Sequence, residues 1–441
     1  MIVPRPRLLF WVGAAGLPLG VLSAAGPSAE AGVSAIAGLF IVVVLADAAW
    51  AGRRLAGLAV VLPPVIRLIR DREGAFDVDV RNPAGRALAV RIGLEFPPGI
   101  ETPRREIDVE LPQEGPVVRL AWPCRPRRRG SFRIESWHLE CASLLGFWAA
   151  RRAAPAATEI RVHPDLRAEG RAMAAVFLQR GQTGAHAHRQ VGKGREFEKL
   201  REYIPGDGLE EIHWKATAKR GRLVTKVFQV ERTQEVYVAL DASRLSARPS
   251  GDPPSPALER YIAAALSLAI AAQHQGDHFG LLTFSDRMIG FVRAGGGRGH
   301  FALCRDALLA LEPRLVAPDF EEAAIFVRRR LRRRALVVVL TDLDDPVLAE
   351  DFTRASDLLR RQHLIMACML RPEGARPLFS GSEPTDIEDL YRALAGHVAW
   401  HHLRELQRQL GRHGVRLSLL DQAFAAGVVS SYLALKQRQA L

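Results

Sequence analysis

Lysine is nearly absent from this chain. Its 441 residues include six, against 61 basic residues in all, and five of the six (Lys193, Lys199, Lys215, Lys219, Lys226) fall in one short stretch. Cysteine is equally scarce: four residues, with no Cys-x-x-Cys spacing among them. That excludes a disulfide framework for a chain of this length and makes a zinc ribbon a poor fit. Aromatics reach only 7%, which gives little help to a nucleic-acid stacking surface. No Ser-His-Asp set, paired catalytic carboxylates or nucleophilic cysteine assembles from the spacing, so the expectation is a protein that is not an enzyme. What is present leans one way electrically. The formal net charge is +13, which suits an acidic partner or an anionic membrane surface. A composition 48% hydrophobic and 25% charged excludes wholesale disorder, and the length allows two or three domains.

Two uncharged runs open the sequence. Leu8–Ala25 has eighteen residues without a charge, and Ala31–Ala46 reaches about twenty if Asp47 sits at an interface beside Trp50. Gly26-Pro27-Ser28-Ala29-Glu30 between them is a tight turn with no basic residue. Arg5 and Arg7 precede the first run, and Arg53 and Arg54 follow the second. The positive-inside rule then predicts a two-helix transmembrane hairpin over residues 1–54, multi-pass in the inner (cell) membrane, with the bulk of the chain cytoplasmic. A signal peptide is the competing reading, from the basic start and the small residues near Ser28 and Ala29. The second span would still hold the large domain in the cytoplasm. Two buried helices of a soluble domain fit less well, because neither run has a polar face.

From residue 55 to 165 the texture alternates. Phe76–Val80, Leu88–Leu94, Val117–Trp122 and Phe132–Leu139 read as short strands, separated by turn signals at Asn82-Pro83, Pro97-Pro98-Gly99, Gly115-Pro116 and Arg129-Gly130. That spacing predicts a β-sandwich of immunoglobulin-like type. The Arg125-Pro126-Arg127-Arg128-Arg129 run reads first as a solvated turn and second as a lipid-phosphate contact. Cys124 and Cys141 are expected as free thiols in a reducing compartment.

Residues 166–231 form a linking segment, of which Gly192–Glu231 is the most distinctive part. It reads as a short helix around Glu196–Glu202, a Pro205-Gly206-Asp207-Gly208 turn, a helix through Glu210–Arg220 and a strand from Leu223 to Val230. Phe197, Tyr203, Trp214 and Phe228 among basic residues leave open a nucleic-acid surface over 193–226, although Glu211 with Lys215 reads more simply as a surface pair. The order Gly194, Glu196-Phe197, Leu200-Arg201-Glu202-Tyr203, Pro205-Gly206-Asp207 and Ile212-His213-Trp214-Lys215-Ala216 resembles the signature of the bacterial domain-of-unknown-function family fifty-eight. Arg128–Phe132 and Leu144–Trp148 also resemble that family's β-domain. Glu210-Glu211 and His213 depart from its usual charges. The resemblance marks Arg201, Tyr203, Gly206, Asp207, Trp214 and Lys215 as structural or partner-binding residues, with Trp214 the expected buried anchor. It also implies a MoxR-type AAA ATPase as partner and an adaptor role beside it. The apolar runs and the net positive charge add membrane lipids as a second partner, and no nucleic acid is expected.

Over 232–441 continuous apolar strands alternate with helices: Glu235–Leu240, His278–Phe284, Ala335–Leu340, Leu364–Leu370 and Val415–Leu420. This predicts a doubly wound, mostly parallel α/β sheet, and the sequence resembles the von Willebrand factor type A fold. That resemblance implies a divalent-cation site, here reduced to Asp241, Ser243 and Asp342. Leu245 replaces a second serine, and Gly295–Gly299 lacks the expected hydroxyl, so any magnesium affinity is expected to be weak, on the order of millimolar. Arg298 is the expected alternative source of positive charge. A metal-dependent hydrolase using Asp241 and Asp342 with His213 as base remains the enzymatic alternative. His186-Ala187-His188 reads as a chance pair. Arg328–Arg334 reads equally as a helix-end charge run and as a docking surface for an acidic partner, and Gly295-Gly296-Gly297 is no phosphate loop, since no Gly-Lys-Ser/Thr follows it.

Overall fold

Both apolar runs are helices in a computed structural model of the protein. It describes all residues except 24–26, 114, 116, 167–173, 175–190, 205–207, 209–211, 230–233, 251–253, 379, 381–385, 422 and 438–441, and describes backbone only at 23, 27–30, 191–199 and 227–229. The chain divides into two units, Met1–Asp165 and Leu166–Leu441. The linking segment over 166–231 thus falls, where described, in the second unit. The two apolar helices fall in the first.

In the first unit, strand β1 (Ile2–Pro4) leads into α1 (Pro6–Ser23), and α2 (Pro27–Arg54) follows. Among the described residues one helix is long and apolar enough to cross a bilayer. It is the Ala31–Arg54 part of α2, with mean hydropathy 2.2 and only 6% of its apolar window buried. Pro6–Leu22 is a shorter apolar helix.

Nine further strands complete, with β1, the two sheets. They are β2 (Ala59–Val61), β3 (Val65–Ile69), β4 (Gly74–Arg81), β5 (Leu88–Leu94), β6 (Ile100–Glu101), β7 (Glu106–Leu111), β8 (Val117–Pro126), β9 (Gly130–Ala142) and β10 (Trp148–His163). One sheet runs β1-β10-β9-β5-β7 with β3 on β10, and the other β2-β4-β8-β6. Every second residue of β4 and β5 is buried, as period-two patterning requires. Val78, Val80 and Trp122 of one sheet and Ile92, Ile134 and Ile160 of the other enter one hydrophobic cluster. Trp122 is fully buried, and its Nε1 donates to the Arg104 carbonyl at 3.2 Å. The four cysteines of the chain are free and buried. Burial pushes the Cys124 and Cys304 thiols up to about 11 and that of Cys368 up to about 12.

The helices are fastened to this sheet at both outer ends. β1 pairs antiparallel with β10, matching Val3 to Ala149, and the Arg5 amide continues the ladder to the Phe147 carbonyl. At the far end of α2, Arg54 donates to the Ala142 carbonyl at 2.9 Å.

The second unit opens with a two-stranded ribbon, β11 (Val191–Glu202) and β12 (Val224–Gln229), with helix α3 (Trp214–Arg220) between its strands. The helix expected around Glu196–Glu202 is therefore a strand. Its residues are good helix formers, but the pairing of Phe197 with Phe228 and of Leu200 with Lys226 overrides that preference.

The main sheet uses β13 (Glu235–Asp241), β16 (His278–Phe284), β17 (Met288–Gly295), β18 (Ala335–Leu340), β19 (Leu364–Leu370) and β20 (Val415–Leu420); a small ribbon of β14 (Pro249–Ser250) and β15 (Ser255–Pro256) lies between. The order is β17-β16-β13-β18-β19-β20, parallel except for β17. Counted from the first strand this is 3-2-1-4-5-6, a doubly wound order whose direction reverses between β13 and β18. Val236, Val238 and Leu240 pack on one face against α4 (Ala257–His274), α5 (Arg298–Leu309) and α9 (Phe424–Gln437). Tyr237 and Ala239 pack on the other against α6 (Phe320–Arg330), α7 (Pro346–Asp357) and α8 (Ile387–Arg412).

One polar clamp holds α9 in this core. Asp277, in the turn between α4 and β16, accepts a short hydrogen bond from the Tyr432 hydroxyl and an ion pair from Lys436 at 2.7 Å. Burial, with the nearby Asp277 charge, pushes the Tyr432 hydroxyl well above its usual range. Tyr432→Phe removes the bond to a charged acceptor, so a loss of roughly 1.5–3 kcal/mol is expected. Thermal unfolding of the full chain in detergent checks this, and an unshifted Tm would dismiss the clamp.

Candidate functional site

Strand order reverses between β13 and β18, and the carboxyl ends of such strands are where open α/β sheets place their ligands. These strands pair in parallel with Leu240 opposite Leu340, so Asp241 and Thr341-Asp342 reach the same edge. Asp241 and Ser243 are fully buried there.

The polar atoms of this edge are already engaged with one another. Asp241 accepts from the Ser243 amide at 2.8 Å with one oxygen and from the Thr341 hydroxyl at 2.6 Å with the other. The Ser243 hydroxyl accepts from the Leu245 amide at 3.3 Å. Asp342 accepts from the Asp344 amide at 3.0 Å and from Arg248 at 2.8 Å. The positive charge beside the carboxylates is thus Arg248, not Arg298. The reason is topological. β17 runs antiparallel to β16 and sets Gly295 opposite Phe279, at the amino end of the parallel strands. The glycine run and Arg298, which begins α5, therefore lie at the other edge of the sheet from Asp241.

This donor set does not fit a resident divalent cation. Magnesium takes near-octahedral oxygen ligation. Here each carboxylate oxygen has a donor, Leu245 is buried where a second serine would stand, and a guanidinium supplies the charge. Among the described residues no group of three or more His, Cys, Asp or Glu side chains is placed to hold a metal. The hydrolase alternative also loses its base. His213 is the N-cap of α3, and its Nδ1 accepts from the Ala216 amide at 3.0 Å.

Burial raises the carboxyls of both Asp241 and Asp342 above their ordinary range. At Asp241 the bonds from Thr341 and Ser243 offset part of that rise and the charge of Asp342 adds to it; at Asp342 the Asp344 amide and Arg248 offset part. A carboxyl whose pKa rises on folding holds its proton more tightly in the folded chain. It favours folding most below its ordinary value of 3.8, and that contribution fades as pH rises. Asp241→Asn removes the titration, so its Tm should gain on that of the native chain as pH rises above the ordinary value of 3.8. A gap that narrows with rising pH would contradict the charge-burial account. Arg248→Ala is expected to cost only about 1 kcal/mol, since the arginine side chain is 54% exposed.

The signature residues occupy a second place, the ribbon and its helix. Ile212 is buried and bridges to Thr225, while the Tyr203 amide donates to the Leu223 carbonyl at 3.0 Å and the His213 amide to that of Val224 at 2.8 Å. Three neighbouring backbone segments are thereby aligned. Trp214, expected as the buried anchor, is instead 65% exposed; Ile204 at 57% and Leu223 at 44% are exposed in the same part of the second unit. The helix it begins buries none of its residues. Lys215, Lys219, Arg220 and Arg222 are exposed around it, and Arg201 donates to the Glu202 carbonyl at 3.1 Å. Gly206, Asp207, Glu210, Glu211, His186 and His188 lie outside the described residues. Sequence reasoning missed the exposure of Trp214, although a tryptophan at the first position of a seven-residue helix, between a capping histidine and a lysine, has few neighbours to bury it.

No curated protein matches the chain significantly in sequence. Among solved structures, it is similar to the conserved hypothetical protein BatB from Bacteroides thetaiotaomicron at 13% identity, covering 46% of this chain and 99% of that one, with a TM-score of 0.31. An aerotolerance-related membrane protein from Bacteroides fragilis is similar at 14% identity, covering 46% and 99%, with a TM-score of 0.30. The SpRpn10 VWA domain is similar at 11% identity, covering 45% and 94%, with a TM-score of 0.27. The family model described as Protein of unknown function DUF58 matches residues 199–379. Those residues hold most of the signature ribbon and the main sheet through β19, so the likeness to that family lies in this part of the chain.

Proposed function

We propose that this protein is a membrane-anchored, cytoplasm-facing adaptor that presents the signature ribbon to a partner, a MoxR-type AAA ATPase. The observation that carries the reading is the exposed Trp214, on a ribbon that also exposes Ile204, Leu223, Lys215, Lys219 and Arg220. Tryptophan and arginine are the residues that most often dominate binding at protein interfaces, and an apolar centre inside a charged rim is the usual anatomy of such a contact. The positive rim calls for an acidic surface on the partner. Arg328, Arg329 and Arg330 at the end of α6, with Arg332, Arg333 and Arg334 after it, are all exposed and extend the basic character of the second unit.

For the membrane arrangement we take α1 and α2 as a two-pass hairpin. Its support is that β1, ahead of α1, and Arg54, at the end of α2, are both tied to the β9–β10 sheet, so the chain leaves and re-enters on one side. Arg5, Arg7, Arg53 and Arg54 at those ends favour the cytoplasmic side. The two-sheet unit then serves as an immunoglobulin-like spacer next to the bilayer.

Capture of the tagged full chain in mild detergent should bring down an ATPase. Trp214→Ala is expected to weaken that capture by about 2 kcal/mol or more, roughly thirtyfold, with an unchanged Tm because the ring is exposed. Capture unaffected by the substitution would remove Trp214 from the interface. Salt-dependent retention on DNA that the same substitution weakens would turn the surface into a nucleic-acid contact. A reporter fused at the C-terminus should behave as cytoplasmic, and periplasmic activity would reverse the orientation.

A further inference from the structure

We infer that the turn joining β9 to β10, Ser143–Phe147, is a second membrane-inserting element, which enters the acyl region beside α2 and places Leu144 and Leu145 among the lipid chains. The inference rests on the reading of α2 as a membrane span. Four contacts fix the depth of the turn against that helix. The Ser143 hydroxyl donates to one Asp47 oxygen at 2.6 Å and the Leu145 amide to the other at 3.0 Å. The Trp148 indole donates to the Val44 carbonyl at 2.9 Å, and the Phe147 ring meets Phe40 edge-on at 6.2 Å between centroids. At a rise of about 1.5 Å per residue, Phe40 lies about 10 Å along the helix from Asp47 and about 15 Å from Trp50. The stretch from Ala31 to Trp50 measures about 29 Å, the thickness of a hydrocarbon core. A position of α2 that keeps Ala31–Ala46 in lipid therefore carries Phe147 and its turn inward.

The chemistry of the turn fits that surrounding. Leu144 is 74% exposed and Leu145 42%, two adjacent apolar side chains that no part of the first unit covers. Several backbone groups flanking them are paired within the protein, which lowers the cost of placing this turn in lipid. The Ser143 amide donates to the Trp148 carbonyl, the Gly146 amide to the Ser143 carbonyl, the Trp148 amide to the Ser143 hydroxyl and the Arg5 amide to the Phe147 carbonyl. Gly146 turns the chain at φ +78°, where a side chain would be strained and its Cβ would stand 3.3 Å from the Arg7 guanidinium. The same contacts explain how α2 keeps a carboxylate near the end of its apolar run, since both Asp47 oxygens face donors from the turn.

The test uses the full-length protein in proteoliposomes, with a fluorophore attached by thiol chemistry at Leu144→Cys. Val42→Cys on the exposed face of α2 serves as the lipid control and Glu110→Cys as the aqueous control. The native thiols are buried and do not compete for the label. Lipids brominated on the acyl chains should quench the probes at 144 and 42, with iodide quenching at 144 several-fold weaker than at 110. A probe at 144 that iodide quenches as it does 110, while 42 remains lipid-quenched, overturns the inference and leaves the span intact. Iodide access at 42 as well refutes the span and the inference together. Protection of 144 from both quenchers means that protein covers the turn, and also overturns it. Leu144→Ser, labelled at Leu145→Cys instead, repeats the measurement in a second background, with the same outcomes for and against.

Discussion

A carboxylate left without donors is costly wherever water is excluded, and Asp47 stands near the end of a helix that is otherwise apolar for more than four turns. The first unit is organised around meeting that constraint. Its side chain is 5% exposed because the β9–β10 turn climbs α2 to supply a hydroxyl and an amide. Once the turn is there, the Trp148 indole can reach the Val44 carbonyl, and Arg54, about two turns of helix beyond Asp47, can reach Ala142. The sheet edge next to the turn is then free to take β1, which returns the start of α1 to the same place. The helix is thereby held to the sheets over roughly four turns, from Phe40 to Arg54.

The second unit meets a similar demand with a different solution. The sheet edge where the strand order reverses collects the carboxylates of Asp241 and Asp342, and two such groups close together need positive charge or inward donors. Asp241, fully buried, receives only neutral donors, Thr341 and the Ser243 amide; Asp342, nearer the surface, receives the guanidinium of Arg248. That division follows solvent access. A buried arginine would carry a large desolvation cost of its own, whereas Arg248 keeps more than half of its side chain in water. Ser246 completes the arrangement by donating to the Ser243 carbonyl at 2.8 Å, fixing the loop that would otherwise be free to open toward a ligand.

The main sheet was legible because its strands are continuous apolar runs bounded by aspartate, glycine or basic clusters, and burial on both faces leaves little else for such runs to do. The placement of Asp241 with Asp342 followed from the same reading. Three things did not. β10 carries Arg151-Arg152-Ala153-Ala154-Pro155-Ala156-Ala157, a poor strand by propensity, and it is held by partners on both sides, with an irregularity of register between Pro155 and Thr158. The glycine run at 295–299 lies at the other edge, as the three-residue turn between β16 and β17 requires of an antiparallel return; it was the type A resemblance, not the strand spacing, that put Arg298 beside the carboxylates. The identity of the arginine beside Asp342 depends on a pair separated by 94 residues, and among so many arginines no local pattern distinguishes the one that matters.

The signature ribbon shows why a sequence can be distinctive without being a core. α3 has no buried residue, so its persistence depends on its ends. His213 caps the first turn, Gly221 at φ +67° closes the last by returning its amide to the Thr217 carbonyl, and the Thr217 hydroxyl accepts the Val224 amide at 3.1 Å. A helix of seven residues is far too short to hold on propensity alone, and here backbone and capping bonds on either side replace packing. Side chains released from packing are free to be chosen for what they meet outside. Trp214 sits at the position where such freedom is greatest, directly after the cap, and burial within its own unit does not account for its size.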